Sequence, residues 1–179
     1  LPDASFAGQQ ETYLNVRGID DVLEKVCCCF ASLWGNRALS YRLHQGYDQA
    51  SVSIAVVIQE MVESEKAGVL FTVNPISKKE NEMQINASYG LGESVVSGRV
   101  TADSYIVDKN GKIIEIAIGS KETQIVYGEK NTVEVAVSDD DRKKRALNDR
   151  EISELIKSGL NIEKHYKMPM DIEWAIKDD

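Results

Sequence analysis

Asn110-Gly111, set between the apolar pairs Ile106-Val107 and Ile113-Ile114, constrains the fold of this chain more than any other dipeptide in it. It predicts a two-residue β-hairpin turn with positive φ at both central residues, and so an antiparallel pair of strands. Other strands are expected over residues 51 to 62, with the apolar run 54 to 58, and over residues 67 to 73, ended by Asn74-Pro75. Residues 83 to 88, 122 to 127 and 132 to 137 read as three more. Helices are expected to flank them. Asp20 and Asp21 precede the stripe Val22, Leu23, Val26, Phe30, Leu33 and Trp34, which predicts a packed amphipathic helix with negative charge at its positive end. Residues 36 to 45 read as a second helix stopped by Gly46. Asn148 with Glu151 forms a capping box ahead of the apolar face Ile152, Leu155, Ile156 and Leu160. The charged run 139 to 145 reads as a solvated linker or exposed helix, and Met168-Pro169-Met170 interrupts the chain before a last strand. The class is α+β, with a mainly antiparallel sheet.

Composition narrows the function. The 179 residues suit one domain or two small lobes, and 42% apolar residues suffices for a core. A net charge of −8 argues against nucleic acid or an anionic membrane surface as the main partner. No apolar stretch approaches the roughly 18 residues of a membrane span, and no signal-peptide pattern opens the chain. Cys27-Cys28-Cys29 is consecutive, which suits neither a disulfide framework nor a zinc site; these read as buried or half-buried helix residues of a reducing, cytoplasmic compartment.

The residues that bear chemistry are few. Asp171-Ile172-Glu173-Trp174 on a short strand puts two carboxylates on one face, fit for a divalent metal, and two apolar anchors on the other. Ser5-Phe6-Ala7-Gly8-Gln9-Gln10-Glu11-Thr12 is either an ordinary turn or a small-residue loop whose amides approach a polyphosphate. Gln59-Glu60-Met61-Val62 is either a strand leaving the core or a segment whose backbone reads an adenine edge, and Gly90-Leu91-Gly92-Glu93 is a ligand-facing turn or a bulge. His44 and His165 lack an evident orienting partner and read as structural or surface residues.

In their order and spacing, these elements resemble the amino-terminal ATP-binding region of the phosphoenolpyruvate synthase and pyruvate phosphate dikinase family. The resemblance is carried by Ala7-Gly8-Gln9-Gln10-Glu11-Thr12, Gly68-Val69-Leu70-Phe71-Thr72-Val73-Asn74-Pro75, Gly90-Leu91-Gly92-Glu93 with Val95-Val96 and Gly98, and Asp171 to Ala175. It covers essentially the whole chain, and its wording is closer to the phosphoenolpyruvate synthase and rifampicin phosphotransferase branches than to the phosphate-dependent dikinase.

The resemblance implies an incomplete ATP-grasp domain over residues 1–179, with ATP and Mg2+ as ligands. Gly8, Gln9 and Thr12 would belong to the phosphate-side loop, Gln59, Glu60, Met61 and Val62 to the adenine-side hinge, and Glu173 to the magnesium shell with Asp171 as its neighbour. Glu93 would touch nucleotide or fix its loop, and Arg37 and Arg42 would be structural ion-pair partners. A parent protein would pass phosphate from ATP, through a histidine on another domain, to pyruvate. A rifampicin-type acceptor or a non-catalytic nucleotide-binding module are the alternatives. The family's phosphate-binding lysine and arginine and its Gln-x-Arg element have no counterpart in this sequence, so the chain alone is expected to be inactive, and to self-associate through a face its missing lobe would cover.

Overall fold

The computed structural model describes residues 8–178, which fall into two compact units: residues 8–61 with 129–131, and residues 62–128 with 132–178. Ser5, Phe6 and Ala7 of the expected phosphate-side loop lie outside the described residues.

The first unit holds α1 (Ile19–Ser32) and α2 (Asn36–Gln45). The apolar stripe of α1 is not packed as expected: Val22 and Val26 are half-buried, Leu23, Phe30 and Trp34 are exposed, and Leu33, just past the helix, is the member that is buried. Two polar residues of the helix make contacts outside it. Ser32 Oγ donates to Gln10 Oε1 at 3.0 Å, and the Lys25 ammonium sits 5.6 Å from the centre of the Tyr13 ring. Cys28 and Cys29 are half-buried as expected, but Cys27 is exposed. Helix α2 does stop at Gly46, where Tyr47 N–H bonds back to Arg42 O at 3.0 Å. Arg42 is fully buried and structural: it donates to Leu33 O and to Gln49 Oε1, each at 2.7 Å, and lies over the Trp34 ring.

The strand expected over residues 51 to 62 is absent. The run has β-prone side chains, but a strand exists by its ladder, and no strand among the described residues pairs with it; Val57 and Ile58 are 81% and 70% exposed.

The second unit contains β1 (Lys66–Phe71), β2 (Glu82–Tyr89), the single-turn α3 (Glu93–Val96), β3 (Asp103–Asp108), β4 (Ile113–Ala117), β5 (Thr123–Tyr127), β6 (Thr132–Ala136), the short α4 (Asp139–Arg142), α5 (Asp149–Tyr166) and β7 (Asp171–Ile176). Five strands form one antiparallel sheet in the order β4-β3-β2-β1-β7, and β5-β6 is a separate hairpin. This is the mixed, mainly antiparallel α+β fold that the sequence predicts. The core lies on one sheet face, where Leu70, Met83, Ile85, Tyr105 and Val107 meet Ile152 and Ile156 of α5.

The β3-β4 hairpin forms, but not with the expected turn. Gly111 alone takes positive φ (+95°), and the closing bonds, Gly111 N–H to Asp108 O at 3.0 Å and Asp108 N–H to Lys112 O at 2.8 Å, enclose three residues. The Asp108 carboxylate accepts from Asn110 N–H and Lys112 N–H, both at 2.9 Å. That side chain anchors the turn and leaves the left-handed position to the glycine, the three-residue alternative to a two-residue loop.

Helix α5 opens on the expected capping box: Asn148 Oδ1 accepts from Glu151 N–H at 2.9 Å, and Glu151 Oε2 accepts from Asn148 N–H at 2.8 Å. Glu151 also pairs with Lys66 of β1 at 2.6 Å, so the cap ties the helix to the sheet. Asn148→Ala should lower unfolding free energy by about 1 kcal/mol, the usual cost of losing an N-cap, as a shift of the urea midpoint at unchanged slope.

Beside this core lies a fully buried ion pair, Asp103 with Lys121. Asp103 Oδ1 also accepts Gly119 N–H at 2.8 Å, while Oδ2 accepts Ala146 N–H at 2.7 Å and Tyr105 O–H at 3.1 Å. Burial holds the Tyr105 phenol far above its ordinary range, so it stays a donor. One carboxylate thus fastens the segments 119–121 and 145–147 to β3.

Candidate functional site

Strand β7 carries the strongest candidate. Asp171 and Glu173 are exposed on one face, while Ile172, Trp174 and Ile176 on the other pack against the core, the two-faced strand that the sequence predicts. Register fixes the surroundings: Asp171 lies opposite Phe71 of β1, and Phe71 opposite Gln84 of β2; Glu173 lies opposite Val69, and Val69 opposite Asn86. Gly68 backs the anchor, because a Cβ there would sit 2.7 Å from the Trp174 ring and 1.8 Å from Asn86 O. Among the described residues no group of three or more His, Cys, Asp or Glu side chains gathers to cage a metal. Two exposed carboxylates nonetheless fit Mg2+, which is commonly held by one or two carboxylates together with water and substrate phosphates.

The loop expected on the phosphate side is tied to the helices of the first unit. Gly8 has φ +71°, a left-handed conformation suited to glycine. Arg37 reaches back to it, donating to Gly8 O at 3.3 Å and to Glu11 Oε1 at 2.9 Å. Thr12 is exposed and Gln9 half-buried. In the expected adenine-side segment, Gln59, Glu60 and Val62 are exposed, Met61 is half-buried, and the Met61 thioether accepts Asn15 N–H at 3.0 Å. The loop from Gly8 to Thr12 and the residues Gln59 to Met61 belong to the first unit, and Val62 and β7 to the second.

Gly90 turns with φ +77° where Leu91 N–H bonds to Ile125 O at 2.8 Å, and a Cβ on Gly90 would lie 2.4 Å from that oxygen. The turn runs into α3, whose first residue, Glu93, lies 3.8 Å from Arg99. His44 Nδ1 is 2.8 Å from Ser40 O in its own helix, and His165 makes an edge contact with Tyr166; both are exposed. Desolvation pushes the Cys29 thiol above its ordinary range, which keeps it protonated and a poor nucleophile.

Sequence reasoning missed one feature of this face. On the central strand β2, Glu82, Gln84, Asn86 and Ser88 alternate with Met83, Ile85, Ala87 and Tyr89, so the face shared with Asp171 and Glu173 is polar along its whole length. The period-two pattern was present in residues 82 to 89. Only the sheet order shows that this strand is central and its polar face largely buried.

The profile of the pyruvate phosphate dikinase AMP/ATP-binding domain matches residues 1–179. The chain belongs to this family. It is 54% identical over 177 residues to a protein of Methanocaldococcus jannaschii named "Probable phosphoenolpyruvate synthase", covering 98% of this chain and 15% of that protein. It is 52% identical to the phosphoenolpyruvate synthase of Pyrococcus furiosus, covering all of this chain and 23% of that protein. The rifampicin phosphotransferase of Bacillus subtilis is 42% identical, with all of this chain and 21% of that protein covered. The chain therefore spans about a quarter or less of the length of these relatives. The chain is thus part of an AMP/ATP-binding domain of this family, and no helix among the described residues is long and apolar enough to cross a membrane.

Proposed function

We propose that residues 1–179 are part of one ATP-grasp domain and supply the nucleotide-binding part of a cytoplasmic phosphoenolpyruvate synthase. The parent protein would convert ATP, pyruvate and water to AMP, phosphoenolpyruvate and phosphate, passing the phosphoryl group through a histidine on another domain. The observation that carries this reading is the strand β7, whose apolar side is locked in the core while Asp171 and Glu173 stay open on the other face. Relatives named phosphoenolpyruvate synthase, at 44–54% identity against 42% for the rifampicin enzyme, support pyruvate as acceptor.

In this reading Gly8, Gln9 and Thr12 contact the phosphates, Gln59, Glu60, Met61 and Val62 the adenine, and Glu173 with Asp171 holds magnesium. Bound magnesium would neutralise charge on the phosphates during transfer. In the second unit β7, which carries the carboxylates, is fixed by Ile172 and Trp174; in the first, Arg37 ties Glu11 and Gly8 of the loop to α2.

The test is acceptor dependence. The full-length protein that carries this chain, given ATP and Mg2+, should form AMP and phosphoenolpyruvate with pyruvate present and should leave rifampicin unmodified. Phosphorylated rifampicin with no phosphoenolpyruvate would transfer the protein to the antibiotic-modifying branch, and no turnover of ATP with either acceptor would favour a binding module.

A further inference from the structure

We propose that Gln84 is a further positioning residue of this site, holding the water shell of the cation that Asp171 and Glu173 bind; this rests on the nucleotide–magnesium reading above. Four buried side-chain atoms among the described residues lack a hydrogen-bond partner, namely Arg42 Nη1, Gln84 Oε1, Ser88 Oγ and Trp174 Nε1, and two of them, Gln84 and Ser88, stand on the face of the two carboxylates. Gln84 is 8% exposed. A buried acceptor without a donor is costly to keep, so its persistence at the centre of a sheet points to a partner that arrives from outside the chain.

The amide is held for this purpose. Its Nε2 donates to Asn86 Oδ1 at 3.1 Å and to Ser104 Oγ at 3.3 Å, and Ser104 belongs to β3. With the nitrogen engaged by Asn86 and by Ser104 of β3, the carbonyl oxygen is the end of the amide left without a partner. Gln84, Phe71 and Asp171 form one cross-strand row, so Gln84 and Asp171 are two strand spacings apart, about 10 Å between backbones. At that separation, with Phe71 in the row between them, a water on the ion would bridge the two side chains. Phe71 between them is half-buried, and is the group a ligand on this face would displace to reach Oε1.

The chemistry selects the ligand group. An amide oxygen accepts hydrogen bonds and does not donate them, so phosphate oxygens are excluded as its partner. Water on a divalent cation is a strong donor, and magnesium retains several such waters when carboxylates and phosphates supply its other ligands. The carboxylates would provide the charge, and Gln84 the acceptor that fixes the shell's orientation.

The experiment is Mn2+ binding, followed by electron paramagnetic resonance, to the full-length protein in the presence of a non-hydrolysable ATP analogue. Gln84→Ala should weaken Mn2+ binding about 10-fold, the usual effect of removing an outer contact to a metal site, and Gln84→Met, which keeps the length of the side chain without its acceptor, should do the same. A merely structural Gln84 would lower the melting temperature in both variants and leave the Mn2+ affinity of the folded protein unchanged. Unchanged Mn2+ affinity in either variant overturns the proposal, and Gln84→Met decides the matter even if the alanine variant does not fold. Glu173→Gln separates the two levels: if it abolishes Mn2+ binding while Gln84→Ala does not change it, only this inference fails. If Glu173→Gln also binds normally, the site itself is misassigned.

Discussion

Asp103→Ala is expected to destabilise the second unit by about 3–5 kcal/mol, the range for removing one partner of a buried ion pair. The Lys121 ammonium would be left fully buried, with Gly119 O at 3.2 Å as its remaining acceptor. Gly119 N–H and Ala146 N–H would lose their acceptor in the same change. Against a total stability of roughly 5–15 kcal/mol for a domain of this size, that is a large share. Lys121→Met removes the charge instead and leaves Asp103 with three neutral donors, so it should cost less. The double variant Asp103→Leu with Lys121→Met should recover much of the loss, because the main penalty is an unpaired buried charge. Urea unfolding of the four proteins measures this. If Asp103→Ala shifts stability by less than about 1 kcal/mol, the pair is not buried as described and the penalty for uncompensated charge does not apply.

That pair also marks the limit of what the sequence could tell. Elements set by neighbouring residues were legible: the Asn148–Glu151 box, the Gly46 stop, and the two-faced alternation of Asp171 to Trp174 all need only local spacing. The hairpin was legible as a hairpin, but the turn was decided by the Asp108 carboxylate, a side-chain contact that no dipeptide rule contains. Residues 51 to 62 have the composition of a strand, yet pairing is non-local and no described strand offers an edge to them. The α1 stripe has the right period, but burial depends on what packs opposite, which periodicity does not specify, and Leu23, Phe30 and Trp34 stay exposed. Asp103 and Lys121, 18 residues apart, gave no periodic signal at all. The candidate site divides in the same way. The carboxylates announced themselves by spacing, whereas Gln84 matters only because β2 is the middle strand of five and its polar face is buried.

Glu173→Gln in the full-length protein is expected to lower turnover of ATP at least about 100-fold while leaving the fold intact, since neutralising charge on a transferring phosphoryl group is worth several kcal/mol. The substitution keeps the size and one carbonyl oxygen and removes the charge that would hold magnesium. The two effects separate because of where the side chain stands. Glu173 is exposed on the open face of β7, and the anchoring of that strand comes from Ile172, Trp174 and Ile176 on the opposite face. Replacing an exposed side chain away from the core usually shifts stability by no more than about 0.5 kcal/mol, so the melting temperature should hardly move. Asp171→Asn should do less harm, because Asp171 opens the strand opposite Phe71 whereas Glu173 sits further in, opposite Val69 and in the row of Asn86. Raising Mg2+ should recover part of the Asp171→Asn defect and little of the Glu173→Gln defect. Near-normal turnover by Glu173→Gln at ordinary magnesium concentrations would show that β7 serves the fold and not the metal.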